Sequence, residues 1–306
     1  MSAMGQASGG HVAVVVVNYG STSMIAENLD ALRGEAEVIV VDNFSTTAER
    51  ERAGDLCAAR DWQFIPLPVN AGFGSGANRG AERALQRGAG QILFLNPDAS
   101  ITPAALSVLR DSVRRDPRTV VSPRIIRPDG RVWFDGMIVD LRDGAVRRSS
   151  SSATRSMRPW LSGACMMWSA DAWIAAGGFD EEYFLYWEDV DLSVRALTAG
   201  LDLRVLPQAQ AVHAVGATQD GAKGAKSALY YEYNIRNRLL FASRHLSAPG
   251  IERWLATNRA AAKEVLLRGG RRQFVAPWIP IRAAVRGSRA GKMIARERLE
   301  SLRASE

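Results

Sequence analysis

The sequence predicts an α/β protein built around a mainly parallel sheet, and three observations predict it. His11 to Val17 and Glu37 to Val41 are β-branched runs without polar alternation, the pattern of strands buried on both faces. Thr22 to Leu32, between them, spaces its apolar residues at helical period. A strand, a helix and a strand in this order make a right-handed βαβ unit, and ligands of such sheets sit at the carboxyl ends of the strands. Asn18-Tyr19 and Asp42-Asn43 close the two strands and therefore share one rim.

The remaining elements follow in order. Residues 1 to 10 are small and polar and end in Gly9-Gly10, a loose terminus. Phe64-Ile65 is a short third strand, Asn70 to Gly80 a glycine-rich turn, Ala81 to Gln86 a helix, and Gln91 to Leu95 a fourth strand. That strand ends at Asn96-Pro97-Asp98, which places a carboxylate on the rim, although Asn-Pro-Asp is equally good turn chemistry. Thr102-Pro103 reads as an N-cap with proline at the first helical position, opening a helix that runs to about Arg114. Beyond Val120 come short strands and turns, and the run Ser149 to Ser152 reads as a loop. Trp160 to Trp168 reads as one apolar strand, Asp171 to Ala176 as a short helix and Gly177-Gly178 as a turn. The segment Tyr183-Phe-Leu-Tyr-Trp-Glu-Asp-Val-Asp191 then leads into a helix over 190–199. Leu203 to Leu206 is a strand, Val212 to Gly216 closes the body, and a helix extends from Ser227 to about His245.

An apolar fraction of 47% with 23% charged residues over 306 positions is ordinary globular composition, which excludes a wholly disordered chain. The run Val12 to Val17 is too short to span a bilayer and lacks a basic leader, so a cytoplasmic protein is expected. Cys57 and Cys165 are too few for a disulfide framework or a four-cysteine zinc site and read as core residues. The net charge of +7 lies in the tail, where residues 251 to 306 carry thirteen Lys or Arg against five Glu. A local anionic partner such as a membrane surface fits that distribution better than nucleic acid, for which no stacking platform accompanies the charge. A helical appendage packed on the body with a solvated basic face is the structural alternative.

Chemistry concentrates in a few places. Glu188, Asp189 and Asp191 cluster at a helix start, where acids are favoured by the helix dipole whether or not they have a further use. With the helix beginning at residue 190, Asp189 occupies the cap position and faces the rim, Glu188 fixes the loop, and Asp191 pairs with Arg195 four residues on. Asp98 and His213 together offer a hard oxygen and an imidazole, which suits Mg²⁺ or Mn²⁺ held mainly by a substrate diphosphate, although a lone histidine is more often a satisfied core residue. The loop Gly72 to Gly80 does not match the redox dinucleotide fingerprint, because the third glycine would fall at Arg79. Its glycines would still let backbone N–H groups approach a nucleotide, with Asn78 on the first helical turn. Trp160, Tyr186 and Trp187 are large aromatics that could line a ligand or simply pack.

The series Val-Val-Asn18-Tyr19, Val-Val-Asp42-Asn43-x-Ser45, Asn70-x-Gly72-Phe-Gly74-x-Gly-x-Asn78-x-Gly80, Leu-Asn96-Pro-Asp98, Gly177-Gly-Phe-Asp-Glu-x-Tyr-Phe184 and Glu188-Asp-Val-Asp-Leu192 resembles the inverting, family 2 type of GT-A glycosyltransferases. More narrowly it is similar to the rhamnosyltransferases of bacterial cell-surface polysaccharide. The likeness covers residues 11 to 245 and leaves out the tail. It implies a GT-A fold, a Rossmann-like mainly parallel sheet flanked by helices. Residues 11–120 would form the nucleotide-sugar-binding half and 121–245 the acceptor-binding half, followed by a basic helical extension over 246–306.

On matching positions, the resemblance implies that Asn18, Tyr19, Asp42 and Asn43 hold the base and ribose. Gly72, Gly74, Asn78 and Asn96 would support the nucleotide. Asp98 would be the surviving acid of the Asp-x-Asp metal motif, with Asn96 in place of its first acid, and His213 the distal metal or diphosphate contact. Trp160, Gly163, Tyr186 and Trp187 would face the acceptor, with Asp189 as general base beside Glu188. The expected donor is dTDP-L-rhamnose, with a UDP-hexose second, and the expected acceptor a glycan or a lipid-linked saccharide. An inactive nucleotide-sugar-binding or scaffold protein is the alternative that Asn96 suggests. Peripheral attachment to the inner face of the membrane is expected of the basic extension.

Overall fold

A computed structural model describes residues 10–148, 154, 156–214, 226–270 and 276–305. The expected loose terminus up to residue 9, the serine loop at 149–152 and the end of the 212–216 segment lie outside the described residues. Strands β1 (Val12–Asn18), β2 (Glu37–Asp42), β3 (Gln63–Pro66) and β4 (Gln91–Leu95) are separated by helices α1 (Thr22–Leu29), α2 (Thr47–Arg60) and α3 (Phe73–Gln86). Next come β5 (Ala99–Ile101), α4 (Pro103–Arg115), β6 (Thr119–Ile126), β7 (Val132–Phe134), β8 (Met137–Asp140), β9 (Val146–Arg148), β10 (Met157–Trp160) and β11 (Cys165–Ser169). The chain continues through α5 (Ala170–Ala176), α6 (Glu188–Thr198), β12 (Asp202–His213), α7 (Ala228–His245), α8 (Ala248–Leu267) and α9 (Trp278–Ala304).

The main sheet runs β3-β2-β1-β4-β11-β6-β12-β5, with β7 added to β6. β1 is parallel to β2 and β4, β2 to β3 and β6 to β12, whereas β11 runs antiparallel to both β4 and β6. Every residue of β1 and β4 is buried, as their unbroken apolar runs require. Register pairs Asn18 with Asp42 and so brings the two polar strand ends side by side. A second antiparallel sheet, β10-β8-β9, lies beyond β7. Cys57 and Cys165 are buried free thiols, and burial pushes the Cys57 thiol up to about 12.

Four elements differ from expectation, each for a physical reason. Helix α2 buries only Ala53 and Cys57, so its apolar period is faint; its start is nonetheless marked by Thr46, whose Oγ1 accepts from the Glu49 N–H at 3.2 Å. The glycines expected in a turn are inside α3, which starts at Phe73 rather than at residue 81. A Cβ on Gly76 would meet Val17 at 2.8 Å and one on Gly80 would meet Val15 at 2.3 Å, so glycine is what lets α3 lie directly on β1. The apolar run 160–168 is two strands around a buried turn at 161–164, because burial alone does not distinguish a strand from a tight turn in the core. β12 spans the stretch read as separate segments, with a register shift between Leu206 and Gln210 that accommodates Pro207.

The tail is helical and packed. Trp254 of α8 is fully buried, stacks on Phe241 at 5.8 Å and donates its Nε1–H to the Leu141 carbonyl at 3.0 Å. One apolar cluster runs from Tyr183, Val190 and Val194 through Leu239 to Trp254, Ala295 and Leu299. Trp254, although it lies in the basic tail, is therefore a core residue. α9 approaches α7 closely: a Cβ on Gly287 would lie 2.2 Å from the Glu232 carbonyl oxygen and one on Gly291 2.9 Å from that of Arg236. Gly287→Ala should part the helices and cost about 1–3 kcal/mol, the usual range for overpacking. Chemical denaturation measures it, and an unchanged midpoint would show that α9 can shift along α7 without loss.

Candidate functional site

The rim begins at the ends of β1 and β2. Asn18 is fully buried; its Oδ1 accepts from the Ser21 N–H at 3.0 Å and its Nδ2 donates to Thr22 Oγ1 at 3.3 Å. Asp42 is equally buried, with Oδ2 held by Arg50 Nε at 2.9 Å and Oδ1 left without a partner. An orphaned carboxylate oxygen at the head of a parallel strand is an acceptor available to a ligand donor. Asn43 is occupied: Nδ2 donates to the Gly72 carbonyl at 3.0 Å and Oδ1 accepts from the Ala71 N–H at 2.8 Å, which ties the start of α3 to β2. Tyr19 is exposed beside it.

The α3 residues expected to support a nucleotide make the following packing contacts. Gly72 has φ of +89° and a Cβ there would strike Phe184 backbone at 2.4 Å, while Gly74 abuts Phe179 at 2.9 Å. Asn78 Nδ2 donates to the Phe179 carbonyl at 2.9 Å and its Oδ1 accepts from the Phe179 N–H at 2.9 Å, so it anchors the approach to the acidic segment. Asn96 follows β4, its N–H donating to the Ala164 carbonyl at 2.9 Å.

Asp98 and His213, 115 positions apart, meet: Asp98 Oδ1 lies 3.0 Å from His213 Nε2, and both side chains are buried. The antiparallel pairing of β5 with β12 causes this by setting Ala99 opposite His213. Trp133 stands edge-on to the imidazole at 4.7 Å, and Nδ1 of His213 has no partner among the described residues. That 3.0 Å separation is a hydrogen bond between carboxylate and imidazole, and the same hard oxygen and nitrogen are of the kind that would hold a small divalent ion. Among the described residues no group of three or more His, Cys, Asp or Glu gathers.

The acidic segment is strained and clamped. Phe184, Tyr186 and Trp187 have φ of +58°, +66° and +73°, and non-glycine residues there cost about 1–3 kcal/mol each and persist only where surroundings impose them. Asn237 of α7 imposes them: its fully buried Nδ2 is within 2.7 Å of the Tyr183 carbonyl, 2.9 Å of that of Leu185 and 2.8 Å of that of Tyr186. Arg236 Nη1 donates to Asn237 Oδ1 at 2.6 Å and so fixes the amide's orientation.

Trp187, not Asp189, takes the cap position, since α6 already begins at Glu188. The left-handed turn could not be read from the sequence, and it moves the helix start back. Asp189 is half-buried, and its oxygens accept from the Gly163 N–H at 3.1 Å and the Val190 N–H at 2.8 Å. Burial raises its pKa, against the pull of those N–H groups. Glu188 is buried, with Oε2 unpartnered; burial first, and then the neighbouring Asp189 charge, raise its pKa further. Asp191, 1% exposed, accepts from Arg195 Nε at 2.8 Å as expected, and also from Tyr183 Oη at 3.2 Å and His245 Nε2 at 2.6 Å. Burial opposes its ionisation, but His245 and Arg195 outweigh it and hold the pKa below the ordinary value.

Of the aromatic residues expected to face an acceptor, Trp187 packs instead on Phe241 at 5.4 Å and Trp254 at 6.2 Å. Tyr186 is half-buried and edge-on to Tyr230 at 5.4 Å. Trp160 lies against Phe134 at 5.4 Å with its Nε1 unpartnered. Sequence reasoning missed Asn237, His245 and Tyr183. Asn237 and His245 sit eight residues apart on the expected 227–245 helix, polar positions amid apolar neighbours, and that interruption of an apolar face was the available signal.

Comparison with known proteins gives the following. The model described as Glycosyl transferase family 2 matches residues 13–164, and that described as Glycosyl transferase family group 2 matches residues 91–249. An N-acetylglucosaminyl-diphospho-decaprenol L-rhamnosyltransferase of Mycobacterium tuberculosis is 30% identical over 231 residues, 65% of this chain and 75% of that protein. A dTDP-rhamnosyl transferase, RfbF, of Shigella flexneri is 24% identical over 67% of this chain and 70% of its own length. The solved mannosyltransferase PcManGT of Pyrobaculum calidifontis, in complex with GDP-Man and Mn²⁺, shares the fold with a TM-score of 0.55 at 16% identity, over 95% of this chain and 87% of that one.

Proposed function

The chain belongs to glycosyl transferase family 2, near its rhamnosyltransferases, and from that premise we propose that it transfers L-rhamnose from dTDP-L-rhamnose to a lipid-linked saccharide of a cell-surface polysaccharide, with inversion. The observation that carries the mechanism is Asp189, a half-buried carboxylate held by backbone N–H groups and by no cation among the described residues, beside Gly163. An acceptor hydroxyl attacks the anomeric carbon; its oxygen forms the new bond as the bond to the diphosphate breaks, and Asp189 takes the proton. Raised pKa values suit a base near neutrality. Glu188, raised further, stays protonated longer and leaves the charge on Asp189. Asp191, already shared by three donors, is a poor base and a good anchor.

On the leaving-group side Asp98 and His213 would hold Mg²⁺ or Mn²⁺, which supplies positive charge to the departing diphosphate. Asn18 and Asp42 would receive the base and ribose, a reading that the unpartnered Asp42 Oδ1 supports. Asn96 in place of an acid favours, as a second reading, a protein that binds nucleotide-sugar without consuming it. The reaction is assigned to the cytoplasmic side of the membrane. α9 supports peripheral attachment there: Trp278, Ile279, Ile281, Val285 and Met293 are exposed among Arg282, Arg289, Lys292 and Arg296, for which no ion pair occurs among the described residues. No described helix is long and apolar enough to cross a membrane.

Asp189→Asn should lower kcat for dTDP-rhamnose by roughly 10²–10⁴-fold, the contribution of a positioned base, with donor binding unchanged. Asp191→Asn should instead cost about 3–5 kcal/mol of stability, as breaking a buried ion pair does. Because burial raises the Asp189 pKa, the acidic limb of the kcat/KM profile should lie above the ordinary aspartate value of about 3.9. An active Asp189→Asn enzyme would move the base elsewhere, and turnover of a UDP-hexose alone would replace the donor.

Asp98→Ala and chelation should depress the same step and show no additive loss when combined; full activity in chelator would remove the metal from the reaction. Wild-type protein should float with anionic vesicles and be released by salt, whereas a chain in which Arg282, Arg289, Lys292 and Arg296 are all replaced by Ser should not. Equal flotation of the two would assign α9's charge to another partner.

A further inference from the structure

Asp42, Asp140 and Asp191 are each buried to 1% exposure or less, and they differ in one respect. Both oxygens of Asp140 accept hydrogen bonds, from Arg142 and Arg147, and both oxygens of Asp191 are taken by Tyr183, His245 and Arg195. Asp42 has only Oδ2 met, by Arg50 Nε at 2.9 Å, and Oδ1 has no partner among the described residues. Ser45 Oγ, three positions on, is likewise buried without a partner among them, so the head of β2 carries two such atoms. A buried carboxylate oxygen without a donor weakens the empty protein, and a ligand that brings an N–H or O–H removes that cost.

Arg50, on α2, decides which oxygen is left over. Its Nε donates to Asp42 Oδ2, its Nη2 donates to the Leu67 carbonyl just after β3, and its guanidinium lies over the Phe44 ring at 4.5 Å. Phe44 has φ of +39°, a conformation that a non-glycine residue keeps only where its surroundings impose it. The Leu67 N–H returns to the Asp42 carbonyl at 2.9 Å, which ties the two strand ends together around the arginine. A planar fork that spans a carboxylate and a carbonyl and rests on a ring has one orientation, whereas an ammonium there would have many. With Oδ2 so engaged the carboxylate cannot exchange its oxygens by rotation, and Oδ1 stays a fixed acceptor. Such an acceptor favours a ring nitrogen that carries hydrogen and opposes one that presents a lone pair. Thymine and uracil carry hydrogen at N3, and cytosine does not. We propose that Arg50 is a positioning residue that, by holding Asp42 Oδ2, makes the site select a donor nucleotide whose pyrimidine has an N3–H. This rests on the sugar-transfer reading and adds to it the residue that sets base selectivity.

Calorimetric titration of the full chain with dTDP, its N3-methyl derivative and dCDP, the last two lacking the N3–H, tests the inference. Wild type should bind dTDP about 10–100-fold tighter than either, the worth of one hydrogen bond to an ion-paired carboxylate. Arg50→Ala should bring the three affinities within about threefold of one another, because the released carboxylate is free to turn. Simple loss of packing would weaken all three ligands alike and leave their ratio unchanged, so a wild-type ratio in folded Arg50→Ala overturns the inference. Arg50→Lys keeps a cation beside the buried carboxylate and is the variant read if Arg50→Ala does not fold. It should narrow the preference at least about threefold, since one ammonium cannot hold Asp42 Oδ2 and the Leu67 carbonyl in one plane, and a wild-type ratio in it is equally fatal. So is a wild type without preference for dTDP. Failure of the transfer reading would appear separately, as an intact dTDP preference in a wild type that never turns over dTDP-rhamnose.

Discussion

The site depends on holding a left-handed run of aromatic residues in place. Phe184, Tyr186 and Trp187 adopt backbone conformations that L side chains avoid, and two neighbours enforce them. From one side the Phe73 N–H donates to the Phe184 carbonyl at 2.8 Å, an approach that only a glycine at position 72 permits. From the other, one buried amide, that of Asn237, serves three carbonyls with two hydrogens. The geometry of Asp189 follows, because α6 starts where this run ends. A carboxylate whose oxygens are held by Gly163 and Val190 has few ways to relax, and pre-positioning of that kind is what a base requires.

Much of the sheet was legible because parallel strands buried on both faces leave unbroken apolar runs, as at Val12 to Val17 and Gln91 to Leu95. The rim residues Asn18 and Asp42 followed from where those runs stop. Helix α3 was misread because glycine lowers helix propensity in general, whereas here its missing Cβ is what lets the helix touch Val15 and Val17. No local rule foresees a contact across fifty or more residues. The same holds for Asn237: its helix was legible, its three acceptors were not. The pairing of Asp98 with His213 was suggested by chemistry, and the β5–β12 register that produces it became visible only in three dimensions.

The tail's charge excess left two readings open, a segment at a lipid surface or a helical appendage packed on the body, and α8 and α9 are packed helices that bury Trp254, Ala295 and Leu299 in a cluster shared with Tyr183 and Val190. Arg238, within that cluster, lies over the Trp254 ring at 4.5 Å and donates to the carbonyls of Trp254 and Asp143 at 3.1 and 2.7 Å; burial lowers its pKa to about 10. Its charge is spent on carbonyls inside the fold and is not available to a surface. The basic residues that remain outward are those at positions the apolar packing of α9 leaves free.

This packing makes the C-terminal helices part of what supports the acidic segment. α7 carries Asn237 to the strained run on one face, and on the side toward α9 its Glu232 and Arg236 carbonyls meet Gly287 and Gly291. His245, at the end of α7, reaches Asp191 in the first turn of α6. Three contacts on one helix therefore connect the tail to the residues on either side of Asp189. A rigid helix transmits displacement along its axis and across its width, since close-packed interiors do not absorb it. The seat of α9 on α7 and the amide that keeps Tyr186 and Trp187 in their left-handed conformations thus belong to one helix.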